Sequence, residues 1–362
     1  MADSKRFVLN LFSGQWPGSA ELTQAIGRSV AALERPPSVL AVALSGGADS
    51  AMMAVHAAIY AQRRGLPLHC LHIHHGLQPL ADQWQAHAHD LARQLCVPCH
   101  SLRVEVGSTG RDGMEAAARE ARYRGLADLA GAVGARHVLL AHHRNDQAET
   151  VLLRLLRGAG PTGLAAMAPA TVRDGLVYLR PWLDIERSLI LQQAEGFCET
   201  TGWQAVQDPT NADDKYTRAA VRERLVPELD ARWPGWRGNL SRHARLSGEL
   251  AQVLDEVAGE DFQRLEPSAD ARSFSLKAWR GLSPARQALA LRYWLSLAGL
   301  RMPTEARLSD MMRQLRGLHA LGHDRQMRVK HGDVFVCCRN GRVQLVDELP
   351  GPKTRFPKTA RI

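Results

Sequence analysis

The sequence predicts an α/β protein: a doubly wound parallel sheet in the first part of the chain, then a mainly helical C-terminal domain. Three observations predict it. Short apolar runs at Val39–Leu44, Leu68–Ile73 and His137–Leu140 alternate with segments of helical period, the pattern of a parallel sheet wound with helices. Ser45-Gly46-Gly47, His74-His75-Gly76 and His142-His143 fall at the ends of those runs, where open α/β sheets take their ligands. Beyond Trp233-Pro234-Gly235 the strand-like runs give way to helical periods.

Each element follows from a local pattern. Ser19–Arg35 has helical spacing and is stopped by Pro36-Pro37. Val39–Leu44 is the first strand and Ala51–Arg64 the helix after it. Leu68–Ile73 is the second strand, Ala81–Leu95 a helix, and His100–Val104 the third strand. Gly107, Gly110 and Gly113 mark a loop, and Met114–Ala130, rich in Ala, Glu and Arg, a helix. His137–Leu140 is the fourth strand and Asp146–Leu156 the next helix. After Gly158–Gly163 the pattern loosens. Tyr178–Trp182 reads as a short strand ended by its proline, Ile185–Thr201 as a helix, and Asp208–Arg218 as a polar loop. A domain boundary is expected near Arg232, giving segments 1–232 and 233–349 and a basic tail at 350–362. The second segment carries helices at Asn239–Phe262, Pro284–Leu297 and Thr304–Leu315. It ends in a hairpin in which Val334–Arg339 and Arg342–Val346 flank Asn340-Gly341. The tail, with Lys353, Arg355, Lys358 and Arg361, is expected to be disordered.

Composition narrows the class. An apolar content of 45% suits a soluble globular chain, and no run of about 18 apolar residues suits a membrane span. Phe7-Val8-Leu9 is too short for a signal-peptide core, so the cytoplasm is the expected location. The net charge of +9 points to an anionic partner, most often nucleic acid, or to solubility alone. Cys70, Cys96, Cys99, Cys198, Cys337 and Cys338 are too scattered for a disulfide framework, and the lone Cys96-Val97-Pro98-Cys99 reads as buried or idle thiols. The histidines lack zinc-ligand spacing with the cysteines and read as core and loop residues.

Four stretches can carry chemistry. In Ala41–Ser50 a strand runs through Ser45-Gly46-Gly47 into a helix, so backbone N–H groups and a helix N-terminus converge where a phosphate can sit. No lysine follows the glycines, so this is not the Gly-Lys-Ser/Thr phosphate loop. Asp49 would repel a bare phosphate and makes sense if it holds magnesium or a cationic substrate; an ordinary strand–turn–helix corner is the plainer alternative. Asp146 and Glu149, three apart, share a helix face behind the fourth strand, either as caps or as a working pair. Glu115, Arg119, Arg122 and Tyr123 share another face, suited to phosphate or simply solvated. Asp208–Asn211, Lys215–Arg218 and Val221–Arg224 mix arginines with an aromatic ring, as RNA-binding surfaces and charged loops both do.

Ser45-Gly46-Gly47-Ala48-Asp49-Ser50 resembles the pyrophosphate-loop motif of ATP pyrophosphatases, which have the adenine nucleotide alpha hydrolase-like fold. The ordered set is more specific. With His72–Leu77, Glu115–Tyr123, Ala141–Thr150, Leu155–Gly160, Arg180–Leu183 and Asp208–Asn211 through Arg218 and Arg222, the chain resembles the tRNA(Ile)-lysidine synthase family over roughly residues 38 to 230. The resemblance implies a ligase that uses ATP and magnesium. It would adenylate the oxygen at carbon 2 of the wobble cytidine in tRNA(Ile) with a CAU anticodon, then join the L-lysine ε-amine to that carbon. It also implies that Ser45, Gly46, Gly47, Ala48, Asp49 and Ser50 hold the nucleotide, that Asp49 holds the metal, and that Asp49, Arg119, Asp146 and Glu149 are catalytic. The C-terminal domain becomes an RNA-binding domain and the oligomeric state stays open, a homodimer among the options. Two departures stand out. Asn145 sits where the family usually has an aspartate, and the full second C-terminal domain of longer members is expected to be missing. Rival readings are a tRNA thiolase using Cys96 and Cys99, a non-catalytic RNA-binding protein, and an amidating synthetase for a small molecule.

Overall fold

Alternate residues of each central strand feed two different cores, so the strands read as unbroken apolar runs. The computed structural model describes residues 16, 18–76, 80–107, 111–206, 217–318 and 327–347. Phe7–Leu9, Leu77, Gly110, the polar stretch from Asp208 to Tyr216 and the tail from Pro350 lie outside the described residues. In β1 (Leu40–Ala43), Leu40 and Val42 join one core with Cys70, Leu139 and Leu179, while Ala41 joins the other with Leu71, Val138 and Tyr178. Helices α1 (Ala20–Ala31), α2 (Ala48–Arg64), α3 (Ala81–Gln94) and α7 (Arg187–Thr201) supply the first core; α4 (Arg111–Ala132) closes the second through Tyr123, Leu126 and Ala130.

The sheet order is β3 (Cys99–Arg103), β2 (Leu68–His74), β1, β4 (His137–Leu139), β6 (Leu176–Leu179), β5 (Ala170–Arg173). The first five of these run parallel, with Leu40 opposite Leu68 on one side and His137 on the other; β5 is antiparallel to β6. The order reverses between β1 and β4, and a doubly wound sheet opens its ligand crevice there. Two loops flank that point: Leu44–Gly47 leads into α2, and Leu140–His143 leads into α5 (Arg144–Leu156).

The sequence reading missed β5 because that strand lies at an exposed edge, with Val172 74% accessible, and has no apolar face to reveal it. Its turn is a tight one: Asp174 and Gly175 both have positive φ, the requirement of a two-residue hairpin turn. The strand at Tyr178–Trp182 begins earlier, at Leu176, and only Trp182 of its last residues pairs, as a bridge to His143. Helix α2 starts at Ala48 rather than Ala51; Gly47 caps it and Asp49 sits in its first turn, where a carboxylate favours the helix dipole.

After the short helix α6 (Pro161–Leu164) and α7, the chain enters α8 (Thr217–Ala220), a single π-helical turn at Val221–Leu225, α9 (Val226–Arg232) and α10 (Trp236–Arg264). The chain divides into two compact units, Met1–Gly248 and Glu249–Ile362. The second unit packs Phe262, Phe274, Trp279 and Trp294 in its own core. It holds α11 (Leu276–Arg280), α12 (Pro284–Leu297) and α13 (Glu305–Gly317). Alongside these helices is a four-stranded sheet, β7 (Ser273–Ser275), β10 (Arg342–Val346), β9 (Val334–Arg339), β8 (Arg328–His331). The mainly helical reading is thus incomplete. β9 and β10 form the expected hairpin, with Asn340 and Gly341 at positive φ, but the three-residue β7 and the charged β8 carry too little apolar alternation to be seen in sequence.

Candidate active site

The glycine loop is held open by its own serines. Ser50 Oγ donates to the Gly47 carbonyl (3.0 Å) and accepts both the Ser45 N–H (3.1 Å) and the Ser45 hydroxyl (2.9 Å). Gly46 has φ +95°, a conformation that L side chains rarely adopt, and its carbonyl accepts the Val206 N–H at 3.0 Å. Gly47 caps α2 without a side-chain hydrogen bond.

Three helix N-termini meet beside this loop. Asp49, in the first turn of α2, receives Arg187 from the first turn of α7 as a two-pronged pair, both contacts at 3.2 Å. His143, the cap of α5, places Nε2 3.6 Å from Asp49 and 3.4 Å from Asp146. Asn145 Oδ1 accepts the Arg187 N–H at 3.3 Å, tying α5 to α7. His143 Nδ1 accepts the Asp146 N–H, so the ring proton sits on Nε2, aimed at the two carboxylates. Burial pulls the Asp49 carboxyl upward, but the hydrogen bond from His143, with the charge and hydrogen bonds of Arg187, outweighs it and holds Asp49 below the usual range.

Asp146 and Glu149 do share one face of α5, as their spacing predicts. Glu149 is buried and takes Arg222 through two contacts, 2.7 and 2.9 Å, with Arg218 3.6 Å away. Asp146 closes a capping box by accepting the His143 N–H and lies 3.4 Å from Arg222. Asp146 is therefore both cap and member of the pair, whereas Glu149 takes no part in the cap. Arg218 and Arg222 flank the start of the π-turn, and wide turns of this kind recur at functional sites.

Arg119 is exposed on α4, with its guanidinium 5.2 Å from the Tyr123 ring and Nη2 3.4 Å from the hydroxyl. Its contacts are with that ring rather than with the carboxylates. Sequence reasoning missed Arg187 as a site residue, because its pairing with Asp49 spans 138 positions and leaves no local trace. Arg222 and His143 lie inside motifs that the sequence singles out, yet their carboxylate partners were not legible.

Several of the histidines have protein partners. His72 Nδ1–H donates to the Leu44 carbonyl (2.8 Å), His74 meets Asp82 (2.9 Å), and His69 meets His100 (3.0 Å). Cys96 is exposed, and burial raises the Cys99 thiol to about 11, which disfavours a thiolate there. Asp49 is the carboxylate nearest the loop, and a hard oxygen donor beside a phosphate site is what magnesium takes, so the donor chemistry fits that ion. A cation there would compete with Arg187 for the same oxygens. Among the described residues no helix is long and apolar enough to cross a membrane.

A family model described as a PP-loop domain matches residues 20–229, and one described as the TilS substrate binding domain matches 274–344. The chain is 57% identical over 328 residues to a tRNA(Ile)-lysidine synthase of Bordetella bronchiseptica, covering 91% of this chain and 95% of that protein. It is 43% identical over 285 residues to a tRNA(Ile)-lysidine synthase of Ralstonia nicotianae, covering 78% of this chain but 60% of that longer protein. Among solved structures, the U34-tRNA thiolase NcsA from Methanococcus maripaludis superposes with a TM-score of 0.51 at 17% identity, over 63% of this chain and 78% of that one. That likeness speaks for the fold alone.

Proposed function

The chain belongs to the tRNA(Ile)-lysidine synthase family, and on that premise we propose how its residues divide the work of an ATP-dependent, lysidine-forming modification of tRNA(Ile). The reaction forms two bonds in turn. The oxygen at carbon 2 of the wobble cytidine attacks the α-phosphorus of ATP, and pyrophosphate leaves. The lysine ε-amine then attacks carbon 2, loses a proton, and AMP leaves with the oxygen.

The loop Ser45–Ser50 holds the nucleotide phosphates with its N–H groups and the N-terminus of α2. Asp49 would hold magnesium, and that ion would supply charge neutralisation for the departing pyrophosphate. Asp146 and Glu149 take the lysine ammonium. With a reference pKa near 10.4, deprotonating that ammonium at pH 7 costs roughly 4–5 kcal/mol. His143, between Asp49 and Asp146, joins the two halves of the site and is placed to pass a proton. Arg119 faces the incoming nucleic acid. Asn145 has a structural task, tying α5 to α7, that needs an acceptor oxygen but no charge, so its replacement of an aspartate is compatible with activity. Residues 233–349 grip the tRNA, and the basic tail 350–362 adds charge.

The observation that carries this reading is the meeting of the glycine loop, through Asp49 and His143, with the Asp146–Glu149 pair at the reversal point of the sheet. The test is incorporation of labelled lysine into an isoleucine-tRNA transcript with a CAU anticodon, given ATP and magnesium. A transcript with uridine at the wobble position is the control. Incorporation that requires the cytidine supports the reading; AMP release with that tRNA but no lysine transfer would overturn the amine site.

A further inference from the structure

Tyr123, on α4, gathers arginines of which the reading above gives only Arg119 a task. The guanidinium carbons of Arg119, Arg122 and Arg173 lie 5.2, 5.6 and 4.5 Å from its ring centroid. Arg173 is balanced by Glu120 (2.6 Å) and Asp174 (3.2 Å). Arg119, Arg122 and Arg180 have no carboxylate partner among the described residues; their contacts are the tyrosine and neutral acceptors. Arg180 is 6% exposed, donates from Nη1 to the Ala168 carbonyl (2.9 Å) and Thr171 Oγ1 (2.8 Å), and keeps a buried Nε–H with no acceptor.

The surroundings register this excess of charge. Burial raises the Tyr123 hydroxyl, yet Arg119, Arg180 and Arg122 together bring it below its usual range. Burial, with Arg180, Arg122 and Arg119 reinforcing it against Asp146, pushes His142 down to about 3; burial and Arg122 push His75 to about 4. Both rings are therefore neutral, and both keep a buried Nδ1 without a partner. Tyr123 is itself fixed: Tyr178 meets it edge-on at 4.9 Å and donates its hydroxyl to the Tyr123 carbonyl at 3.3 Å. His75, His142 and Arg180 follow β2, β4 and β6, so the cluster lies at the carboxyl ends of the strands, on the same side of the sheet as the glycine loop.

Arg180 is a buried guanidinium without a counter-charge, which is costly, and arginine forks such as those of Arg119 and Arg122 beside it match phosphate geometry. We propose that Arg119, Arg122 and Arg180, arranged around the Tyr123 hydroxyl, form a second phosphate subsite, distinct from the glycine loop, that takes a phosphate oxyanion of the nucleic-acid substrate or of the nucleotide. The unpartnered Arg180 Nε–H and the neutral His142 and His75 rings supply donors that such a ligand satisfies. This rests on the functional reading only in that both candidate ligands are those of the family's reaction.

The test uses full-length protein carrying Arg122→Gln, with two separate titrations: a labelled CAU anticodon stem-loop RNA and ATP. At least one dissociation constant should weaken by about tenfold, and Arg122→Lys, which keeps the charge, should recover part of it. If the RNA is the ligand, its salt slope falls by about 0.7. RNA weakening alone assigns the subsite to the backbone, and ATP weakening alone assigns it to the nucleotide. If neither changes in a variant that melts with the wild type, the proposal is overturned. If Arg122→Gln does not fold, Tyr123→Phe, which removes only the hydroxyl, is titrated in the same way with the same outcomes. Failure of the lysidine reading would show separately, as wild-type protein that incorporates no lysine while these binding shifts persist.

Discussion

Replacing Glu149 with Gln isolates the amine site, because it keeps the size of the side chain and removes one charge. Glu149 is 4% exposed and accepts two short contacts from the Arg222 guanidinium, 2.7 and 2.9 Å. Removing one partner of a fully buried pair costs about 3–5 kcal/mol. The Arg222 side chain is 30% accessible, and Asp146 still lies 3.4 Å from it, so water and the second carboxylate recover part of that. The expected destabilisation is therefore about 2 kcal/mol, read as a lower denaturant midpoint at unchanged slope. The same change weakens the hold on a lysine ammonium by one charge-assisted hydrogen bond, about 1.5–3 kcal/mol, or roughly ten- to a hundredfold in half-saturating lysine. Pyrophosphate release driven by tRNA, which precedes the amine, should keep its rate. The assay measures both steps in one preparation, with single and double variants at Asp146 and Glu149. Lysine half-saturation within about threefold of wild type, in a variant destabilised as expected, refutes the assignment and leaves the carboxylates as a purely structural anchor for Arg222.

Further outcomes can be checked in parallel. Gly46→Ala forces a side chain onto φ +95° with Val206 at 3.4 Å, so ATP affinity should drop sharply and stability by about 1–3 kcal/mol, measured by calorimetry and melting. His56 is buried in the core with its Nδ1 2.9 Å from Thr23 Oγ1, and burial lowers it to about 3. The unfolded chain thus binds more protons below pH 6.5, and stability is lost as pH falls from there toward 3. His56→Phe should flatten that loss by up to about 1.4 kcal/mol per pH unit, seen in denaturant midpoints at pH 7, 6 and 5. Asp49→Asn should leave Arg187 without its partner and weaken the magnesium dependence of adenylation; an unchanged metal titration would argue against Asp49 as the ion's ligand. RNA affinity should fall by about 0.7 to 0.9 log units per phosphate contact for each log unit of salt, and a flat response would remove the proposed basic grip.

The parts legible in sequence are those fixed by local chemistry. Leu40–Ala43 announces a doubly buried strand because nothing polar interrupts it, and Ser45-Gly46-Gly47 announces a turn because only glycine takes φ +95° freely. The faces of α4 and α5 follow from spacing, so it was visible in advance that Asp146 and Glu149 share one. The remainder depends on partners far apart in the chain. Arg187 reaches Asp49 across 138 residues and Arg222 reaches Glu149 across 73, and a single sequence gives no reason to pair them. The exposed β5 and the charged β8 escape for a different reason: they pair through backbone groups whose side chains advertise nothing.

The wide turn at Val221–Leu225 has a consequence for anyone editing this chain. Such a turn is an α-helix that has accepted one surplus residue, and each residue of an α-helix turns the next segment by about 100° around the axis. A one-residue deletion inside Val221–Leu225 lets the segment relax to ordinary helix, at little cost in hydrogen bonding, while swinging Val226–Arg232 to a new azimuth relative to Arg218. Arg222 apart, point substitutions there are expected to be forgiven more readily than changes in length. The spare residue acts as a spacer that sets the phase between the arginines feeding Glu149 and the helix beyond them.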